Sequence, residues 1–174
     1  MEDIIAKAAS IRLVIFDVDG VLTDGGIFIG DNGEEYKSFF SRDGLGMVML
    51  QKTGVKIGII TGRTSQVVLH RMQSLGIEHI FQGQSDKIPA FQQLCKDLDI
   101  DPEHVAYVGD DIVDLPVMRQ VGLAISVGDA HPLVVKHSHW QTHSNGGRGA
   151  AREVCELIME AQDTLSGQLA RYGL

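Results

Sequence analysis

Several acidic side chains, a threonine and a lysine follow apolar runs of this sequence, at or just after the points where those runs end. They are Asp17, Asp19, Thr61, Lys87, Asp110, Asp111 and Asp114. If the runs are parallel strands, their carboxyl ends share one edge of a sheet, and these side chains meet in one cleft. Clustered carboxylates repel one another, and oxygen ligands without histidine or cysteine favour Mg²⁺ as the cation that holds them. Thr61 and Lys87 are suited to phosphate oxygens, so the pattern predicts a magnesium-assisted phosphate site.

The segment Asp17-Val18-Asp19-Gly20 contains two carboxylates that can take different roles in a phosphate transfer. We expect Asp17 to be the nucleophile that attacks phosphorus. We expect Asp19 to protonate the leaving oxygen and then to deprotonate the hydrolytic water. Gly20 permits a sharp turn after the strand. The alternative is that the two aspartates only end a strand and begin a turn.

Short apolar runs alternate with helical patterns along the chain. The runs cover residues 11–16, 55–60, 79–81, 105–108 and 123–127, and the helical patterns cover 46–52, 64–75, 87–98, 113–121 and 148–165. This alternation predicts an α/β fold, a Rossmann-like parallel sheet with helices on both faces. Residues 26–40 break the pattern and predict a β-hairpin around an Asn-Gly step. One domain over residues 1–174, with the hairpin as an insertion, is the simplest organisation.

Composition limits the classes of partner. The net charge of −8 argues against nucleic acid as the main partner. Cys95 and Cys155 do not form a disulfide framework or a CxxC, and we expect buried free thiols. The first twelve residues lack the features of a signal peptide, and no apolar run reaches the length of a membrane span. We therefore expect a cytoplasmic, reduced protein.

Four sequence motifs resemble those of the haloacid dehalogenase superfamily. They are Asp17-Val18-Asp19-Gly20-Val21-Leu22-Thr23, Thr61-Gly62-Arg63, Lys87, and Gly109-Asp110-Asp111 followed by Asp114. The resemblance implies that Asp17, the carbonyl of Asp19, and Asp110 ligate magnesium. It also implies that Asp111 and Asp114 hold metal-bound water or neighbouring groups. An aspartate at the position of Asp19 is typical of the phosphatases in that superfamily rather than of the dehalogenases.

A narrower resemblance covers nearly the whole chain. The motifs Asp24-Gly25-Gly26, Arg42-Asp43-Gly44, Gly83-Gln84, Asp129-Ala130-His131-Pro132 and Gly146-Gly147-Arg148-Gly149-Ala150 resemble the family of 3-deoxy-D-manno-octulosonate 8-phosphate (KDO 8-phosphate) phosphatases. That family implies a capless fold, a homotetramer, a cytoplasmic location and a role in lipopolysaccharide precursor synthesis. Phosphatases of nine-carbon sialic-type acids share most of these motifs, so they remain an alternative.

A sugar acid phosphate also carries a carboxylate, which needs a cation of its own. Arginine binds carboxylates through two hydrogen bonds. The candidates are Arg42, Arg63, Arg71 and Arg148, and Arg63 is favoured because it follows a strand end. The alternatives are a solvated helix face for Arg71 and an ordinary helix start for Arg148. Further candidate substrate contacts are Asp19, Asp43, Gly44, Thr61, Gly62 and Lys87.

The apolar residues of the predicted hairpin indicate that several subunits assemble. Forty-one residues, 20 to 60, separate Asp19 from Thr61, too few for a cap domain of the usual size. Ile27, Phe28 and Ile29 are too apolar for an isolated hairpin in solvent, which would be marginal in stability. We expect hairpins from several subunits to pack together in a homotetramer and to complete the sites. The alternative is that the hairpin folds onto its own domain.

Two other classes of protein use similar residues. A signalling receiver domain combines aspartates, threonine, lysine and magnesium, but its acidic pair comes first and its phosphorylated aspartate follows a middle strand. A non-catalytic oligomerisation domain of the cytidylyltransferase kind is expected to lose a motif residue, and none is lost here. Both classes lack hydrolytic turnover, so an assay of phosphate release with and without EDTA separates them from a phosphatase.

Overall fold

A parallel sheet forms the centre of the computed structural model, which describes residues 2–174. Its strands are β1 (Leu13–Phe16), β4 (Lys56–Ile60), β5 (His79–Phe81), β6 (Val105–Gly109), β7 (Leu123–Ser126) and β8 (Trp140–Gln141). They lie in the order β5-β4-β1-β6-β7-β8. Every neighbouring pair is parallel. In the centre, Leu13 is in register with Lys56 on one side and with Val105 on the other.

Helices cover both faces of this sheet. They are α1 (Glu2–Ala9), α2 (Ser41–Gln51), α3 (Gln66–Ser74), α4 (Ile88–Leu98), α5 (Leu115–Met118), α6 (Pro132–His137), α7 (Ala150–Ala161) and α8 (Leu165–Leu169), with short 3₁₀ turns at Pro102–His104, Ile112–Asp114 and Ala170–Tyr172. Within residues 2–174, no helix combines the length and the apolar character that a membrane crossing requires.

Alternating side chains of β1 divide the core into two layers. Val14 and Phe16 join one buried cluster, which contains residues of α1, α2, α3 and α7. Leu13 and Ile15 join the other, which contains residues of α4, α5 and α6. All four side chains are buried, as expected for a strand covered on both faces. The central strand is therefore held rigidly from both sides, and so is the residue at its end, Asp17.

The predicted α/β fold is confirmed, with differences at the element ends. Helix α2 begins at Ser41, five residues before the predicted start at Gly46, because two glycines in its first turns hid the pattern. The predicted helix 113–121 is a 3₁₀ turn followed by the single turn α5. The predicted helix 148–165 is α7 followed by a separate α8. Helix α1 was not predicted.

The predicted hairpin forms a separate two-stranded sheet. Strands β2 (Phe28–Ile29) and β3 (Glu35–Tyr36) pair antiparallel, and the turn between them contains Gly33 with a φ of 79°. Four of its large apolar side chains are more than half exposed: Ile27, Phe28, Ile29 and Tyr36. These four side chains are therefore not buried against the domain, whereas Phe39 at the end of the hairpin segment packs against the core.

Candidate active site

A cleft of about 230 Å³ opens at the carboxyl ends of β1, β4 and β6. Its lining consists of Asp17, Asp19, Thr61, Gly62, Arg63, Gln84, Ser85, Lys87, Asp110, Asp111 and Val113. The structure thus brings together side chains from four separate stretches of sequence. Two catalytic candidates in it, Thr61 and Lys87, are almost completely buried.

Asp17 stands at the end of β1, where its position is determined by backbone and side-chain contacts. Its N–H donates to the carbonyl of Val108 on the neighbouring strand. Its Oδ1 accepts from the N–H of Val18 at 2.6 Å, and its Oδ2 lies 2.8 Å from Nζ of Lys87. Burial, with the nearby Asp114 carboxylate, raises the pKa of Asp17 to about 6. The ionised carboxylate is therefore costly in this site even with Lys87 beside it, and a second cation would stabilise it.

Lys87 lies just before α4 and is held by a buried group of polar residues. Its Nζ donates to Asp114 Oδ1 at 2.7 Å and to the Tyr107 hydroxyl at 3.2 Å. The Tyr107 hydroxyl in turn donates to Asp114 Oδ1 at 2.7 Å. Burial alone would lower the pKa of Lys87, but Asp17 and Asp114 raise it above its usual value. The ammonium is therefore kept charged at the floor of the cleft, as phosphate binding requires.

Asp114 itself is fully committed to these contacts. Its Oδ2 accepts the N–H groups of Asp110 and Asp111, so both of its oxygens have donors. Asp111 begins the 3₁₀ turn, and its Oδ1 accepts the N–H of Ile112 at 2.7 Å. The two residues thus shape the loop that presents Asp110.

The carboxylates have the arrangement that a cation needs. Oxygens of Asp17, Asp110 and Asp114 lie within 4.8 Å of one another. Oδ1 of Asp110 is buried and has no hydrogen-bond partner among residues 2–174. Burial, with the Asp114 and Asp17 carboxylates, raises the pKa of Asp110 to about 8. Asp17 and Asp110 line the cleft whereas Asp114 does not, so Asp17 and Asp110 are the carboxylates that fit a magnesium ion.

Asp19 is held by a series of alternating charges that begins at the hairpin. Lys37 donates to Oδ1 of Asp19. The Lys37 ammonium also lies 3.0 Å from Glu35 Oε1. The two groups form an ion pair, but their relative orientation is not that of a hydrogen bond. Arg63 donates to Glu35 Oε2 at 2.7 Å. Arg63, with Lys37, lowers the pKa of Glu35 to about 2.

Thr61 directly follows β4 and is fixed by the neighbouring strand and loop. Its N–H donates to the carbonyl of Phe81, and its carbonyl accepts from the N–H of Gln84. The same loop carries Gly62 and Arg63 into the cleft lining. Loops after two adjacent strands are therefore joined beside the catalytic candidates.

Five predicted substrate contacts lie outside the lining of the cleft. Arg42 stacks on Phe40, with its guanidinium carbon 4.6 Å from the ring centroid. Asp43 is buried and accepts the N–H of Gly149 and that of Arg152, at the start of α7.

The other three of the five also make contacts within the domain. Arg71 packs against Gly44 so closely that a Cβ there would meet its guanidinium at 2.3 Å. Arg148 donates to Asp24 Oδ2 at 2.8 Å. Asp43, Gly44, Arg71 and Arg148 thus contact distant parts of the domain, Arg42 contacts its near neighbour Phe40, and none of the five lines the cleft.

Lys37, Glu35 and Tyr107 make contacts beside the cleft that were not predicted from the sequence. Glu35 and Lys37 are two positions apart in the hairpin, which places them on the same face. Two opposite charges on one face of the second arm of the hairpin were the signal that could have found them. Tyr107 stood inside a strand pattern, where its hydroxyl could not be distinguished from an ordinary core tyrosine.

The fold and the cleft define a haloacid dehalogenase-like hydrolase, and a model of that family matches residues 76–154. The chain is 52% identical to the KDO 8-phosphate phosphatase of Yersinia pestis over 95% of its length and 89% of the relative's. It is 53% identical to the KDO 8-phosphate phosphatase of Escherichia coli K12 over 94% of its own length and 87% of the relative's. The chain therefore belongs to the haloacid dehalogenase-like hydrolases and, within them, to the family of KDO 8-phosphate phosphatases.

Solved structures agree with this placement. The KDO 8-phosphate phosphatase of Moraxella catarrhalis, solved with magnesium, phosphate and KDO, superposes with a TM-score of 0.97 at 44% identity and covers 99% of both chains. The Yersinia pestis enzyme superposes with a TM-score of 0.95 and covers 95% of this chain and 90% of its own. These likenesses favour a phosphatase over a receiver domain or a non-catalytic oligomerisation domain.

Proposed function

We propose that this protein is a magnesium-dependent phosphatase that hydrolyses KDO 8-phosphate to KDO and inorganic phosphate. The observation that carries the proposal is the meeting of Asp17, Lys87 and Asp110 in one cleft, in a chain 52% identical to a phosphatase of that name. We place the reaction in the synthesis of lipopolysaccharide precursors, as in the family it resembles.

The chemistry proceeds in two displacements at phosphorus. An oxygen of the Asp17 carboxylate forms a bond to phosphorus while the bond from phosphorus to the sugar oxygen breaks, and Asp19 gives that oxygen a proton. Water then attacks the aspartyl-phosphate, Asp19 takes the proton of that water, and the bond between Asp17 and phosphorus breaks. Lys87 and Thr61 bind the phosphoryl oxygens through both steps. The buried, fixed position of Asp17 at the end of β1 keeps the attacking oxygen aimed into the cleft.

Magnesium fits the donor set of this cleft. Asp17, the carbonyl of Asp19, and Asp110, whose buried Oδ1 has no partner among the described residues, would hold it, while Asp111 and Asp114 support the loop. When bound, the ion neutralises the charge that gathers on the phosphoryl group. The raised pKa values of Asp17 and Asp110 support this assignment, because a cation would remove the repulsion that contributes to them.

Arg63 is the residue we assign to the sugar acid beyond the phosphate. It is an arginine in the cleft lining, and its side chain is 44% exposed although Glu35 orients its guanidinium. Gly62 beside it adds backbone to the same wall. Substrate contacts by Arg42, Asp43, Gly44, Arg71 and Arg148 stay predictions, and the internal contacts of these residues favour a role in holding the site together.

We also propose that the protein acts as a cytoplasmic homotetramer of single-domain subunits. The four exposed apolar side chains of the hairpin support an assembly, because covering them by neighbouring hairpins removes a hydrophobic surface from water. The buried free thiols of Cys95 and Cys155 are consistent with a reducing compartment. The continuous sheet from β5 to β8 supports one domain.

Phosphate release from a panel of sugar acid phosphates tests the function. Purified protein is assayed with eight- and nine-carbon 2-keto-3-deoxy acid phosphates, with Mg²⁺ or with EDTA. We expect the highest kcat/KM with KDO 8-phosphate and no turnover with EDTA. A higher kcat/KM for a nine-carbon acid would contradict the substrate, and full turnover in EDTA would contradict the metal.

A further inference from the structure

The ammonium of Lys37 is enclosed between two carboxylates beside the cleft. Only 1% of its side chain is exposed. It donates to Asp19 Oδ1 and lies 3.0 Å from Glu35 Oε1. A buried ammonium is costly unless it is paired, so these contacts determine where the side chain can lie. Lys37 is also absent from the lining of the cleft. Its direct contact with a residue of the cleft lining is therefore the one with Asp19.

The hairpin delivers this lysine to Asp19. Glu35 is on β3 and Lys37 follows two positions later on the same face, while Tyr36 between them points outward and is 57% exposed. Arg63, from the loop after β4, holds Glu35 through a hydrogen bond of 2.7 Å. The base of the hairpin is thus connected to the domain at two points, one of them the acid/base residue itself.

We infer that Lys37 is a positioning residue for the proton transfers of Asp19, an inference that rests on the proposed function. By holding Oδ1, Lys37 restricts rotation of the carboxylate and leaves Oδ2 to exchange protons with the leaving oxygen and the water. The hairpin is then part of the catalytic apparatus as well as a contact surface. The competing explanation is that the ion pair only fastens the hairpin to the domain.

The two explanations predict different effects of removing Lys37 on kcat/KM for substrates with different leaving groups. A sugar alkoxide is strongly basic and must be protonated as its bond to phosphorus breaks, whereas p-nitrophenolate leaves as a stable anion. A misplaced acid therefore slows the first reaction and hardly affects the second. kcat/KM reports the steps up to release of the leaving group, so it isolates this proton transfer from the later hydrolysis.

The experiment compares kcat/KM for KDO 8-phosphate, phenyl phosphate and p-nitrophenyl phosphate at saturating Mg²⁺. The variants are Lys37→Gln, which removes the charge, and Lys37→Arg, which keeps it; Lys52→Met, an exposed lysine beyond α2, is the control. We expect Lys37→Gln to lower kcat/KM for the sugar acid phosphate at least about 10-fold more than for p-nitrophenyl phosphate, with phenyl phosphate between them. Lys37→Arg should retain most of the wild-type ratio between substrates.

A double-mutant cycle completes the test. In an Asp19→Asn background, Lys37→Gln should produce no further loss, since the group it positions is gone. Equal losses on all three substrates, or additive losses with Asp19→Asn, would overturn the inference. Partial misfolding lowers every kcat/KM by one factor and leaves the ratios unchanged. If the wild-type enzyme hydrolyses only the aryl phosphates, the proposed substrate is contradicted. The ratio of kcat/KM for phenyl phosphate to that for p-nitrophenyl phosphate would still test the role of Lys37.

Discussion

Gly20 and Asp110 approach each other so closely that a Cβ on Gly20 would lie 2.0 Å from Oδ2 of Asp110. Gly20 also has a φ of 86°, in the left-handed region that favours glycine. The turn after β1 therefore leaves room for the carboxylate that we assign to magnesium. Gly20, from the first motif, provides the space that Asp110, from the last motif, occupies.

Gly20→Ala should displace Asp110 and weaken magnesium binding by at least about 10-fold, because the new methyl group occupies space that the carboxylate needs. Isothermal titration calorimetry with Mg²⁺ measures this. Gly76→Ala is the matched control, since Gly76 has a φ of 73° and nothing within 4 Å of an added Cβ. The control should lose stability through backbone strain but retain magnesium affinity. Equal affinity in wild type and Gly20→Ala would contradict the prediction.

Asp17→Asn should abolish turnover and leave the fold intact, since an amide cannot form the aspartyl-phosphate. We expect kcat to fall by more than about 1,000-fold, as for other reactions that lose their nucleophile. Phosphate release is measured beside the circular dichroism spectrum, with the exposed Asp97→Asn as control. Substantial activity in a folded Asp17→Asn variant would refute the assignment of the nucleophile.

The raised pKa of Asp110 predicts a stability that falls as pH rises in the absence of metal. Its pKa is raised from 3.8 to about 8, so between these values the folded protein binds more protons than the unfolded chain. Raising the pH through this window therefore lowers the free energy of unfolding. In EDTA, the thermal midpoint of wild type should fall more between pH 5 and about pH 8 than that of Asp110→Asn. Each kcal/mol lost from the free energy of unfolding corresponds to a fall of roughly 2–4 °C.

Added Mg²⁺ provides the complementary measurement. It should raise the midpoint of wild type most at the upper end of that range, where the carboxylates are ionised, and should do little for Asp110→Asn. Parallel pH curves for the two proteins in EDTA would show that Asp110 does not carry the effect.

Phe28→Glu should break the proposed homotetramer, because it places a charge in the apolar surface of the hairpin, where Phe28 is 54% exposed. Light scattering should give a smaller mass, and kcat/KM for KDO 8-phosphate should fall at least about 10-fold if neighbouring subunits complete the site. Leu133→Glu, at a position 49% exposed on α6, is the control. A wild-type monomer with full activity would exclude the assembly.

The convergence of Asp17, Thr61 and Asp110 could be predicted from the printed sequence. Each follows an apolar run, and parallel strands bring their carboxyl ends to one edge whatever the details of packing. The fold class follows from the same alternation of runs. Helix boundaries were less predictable, as at α2, where glycines weaken the local pattern while packing against α7 stabilises the helix.

Contacts between distant residues depend on the tertiary structure alone. Asp43 receives N–H groups of Gly149 and Arg152 because α2 lies beside the start of α7, and local patterns carry no information on that approach. The pairing of Lys37 with Asp19 has the same origin. Residue types and period-two spacing reveal which side chains share a face, but only the docking of the hairpin determines that this face turns toward the acid/base residue.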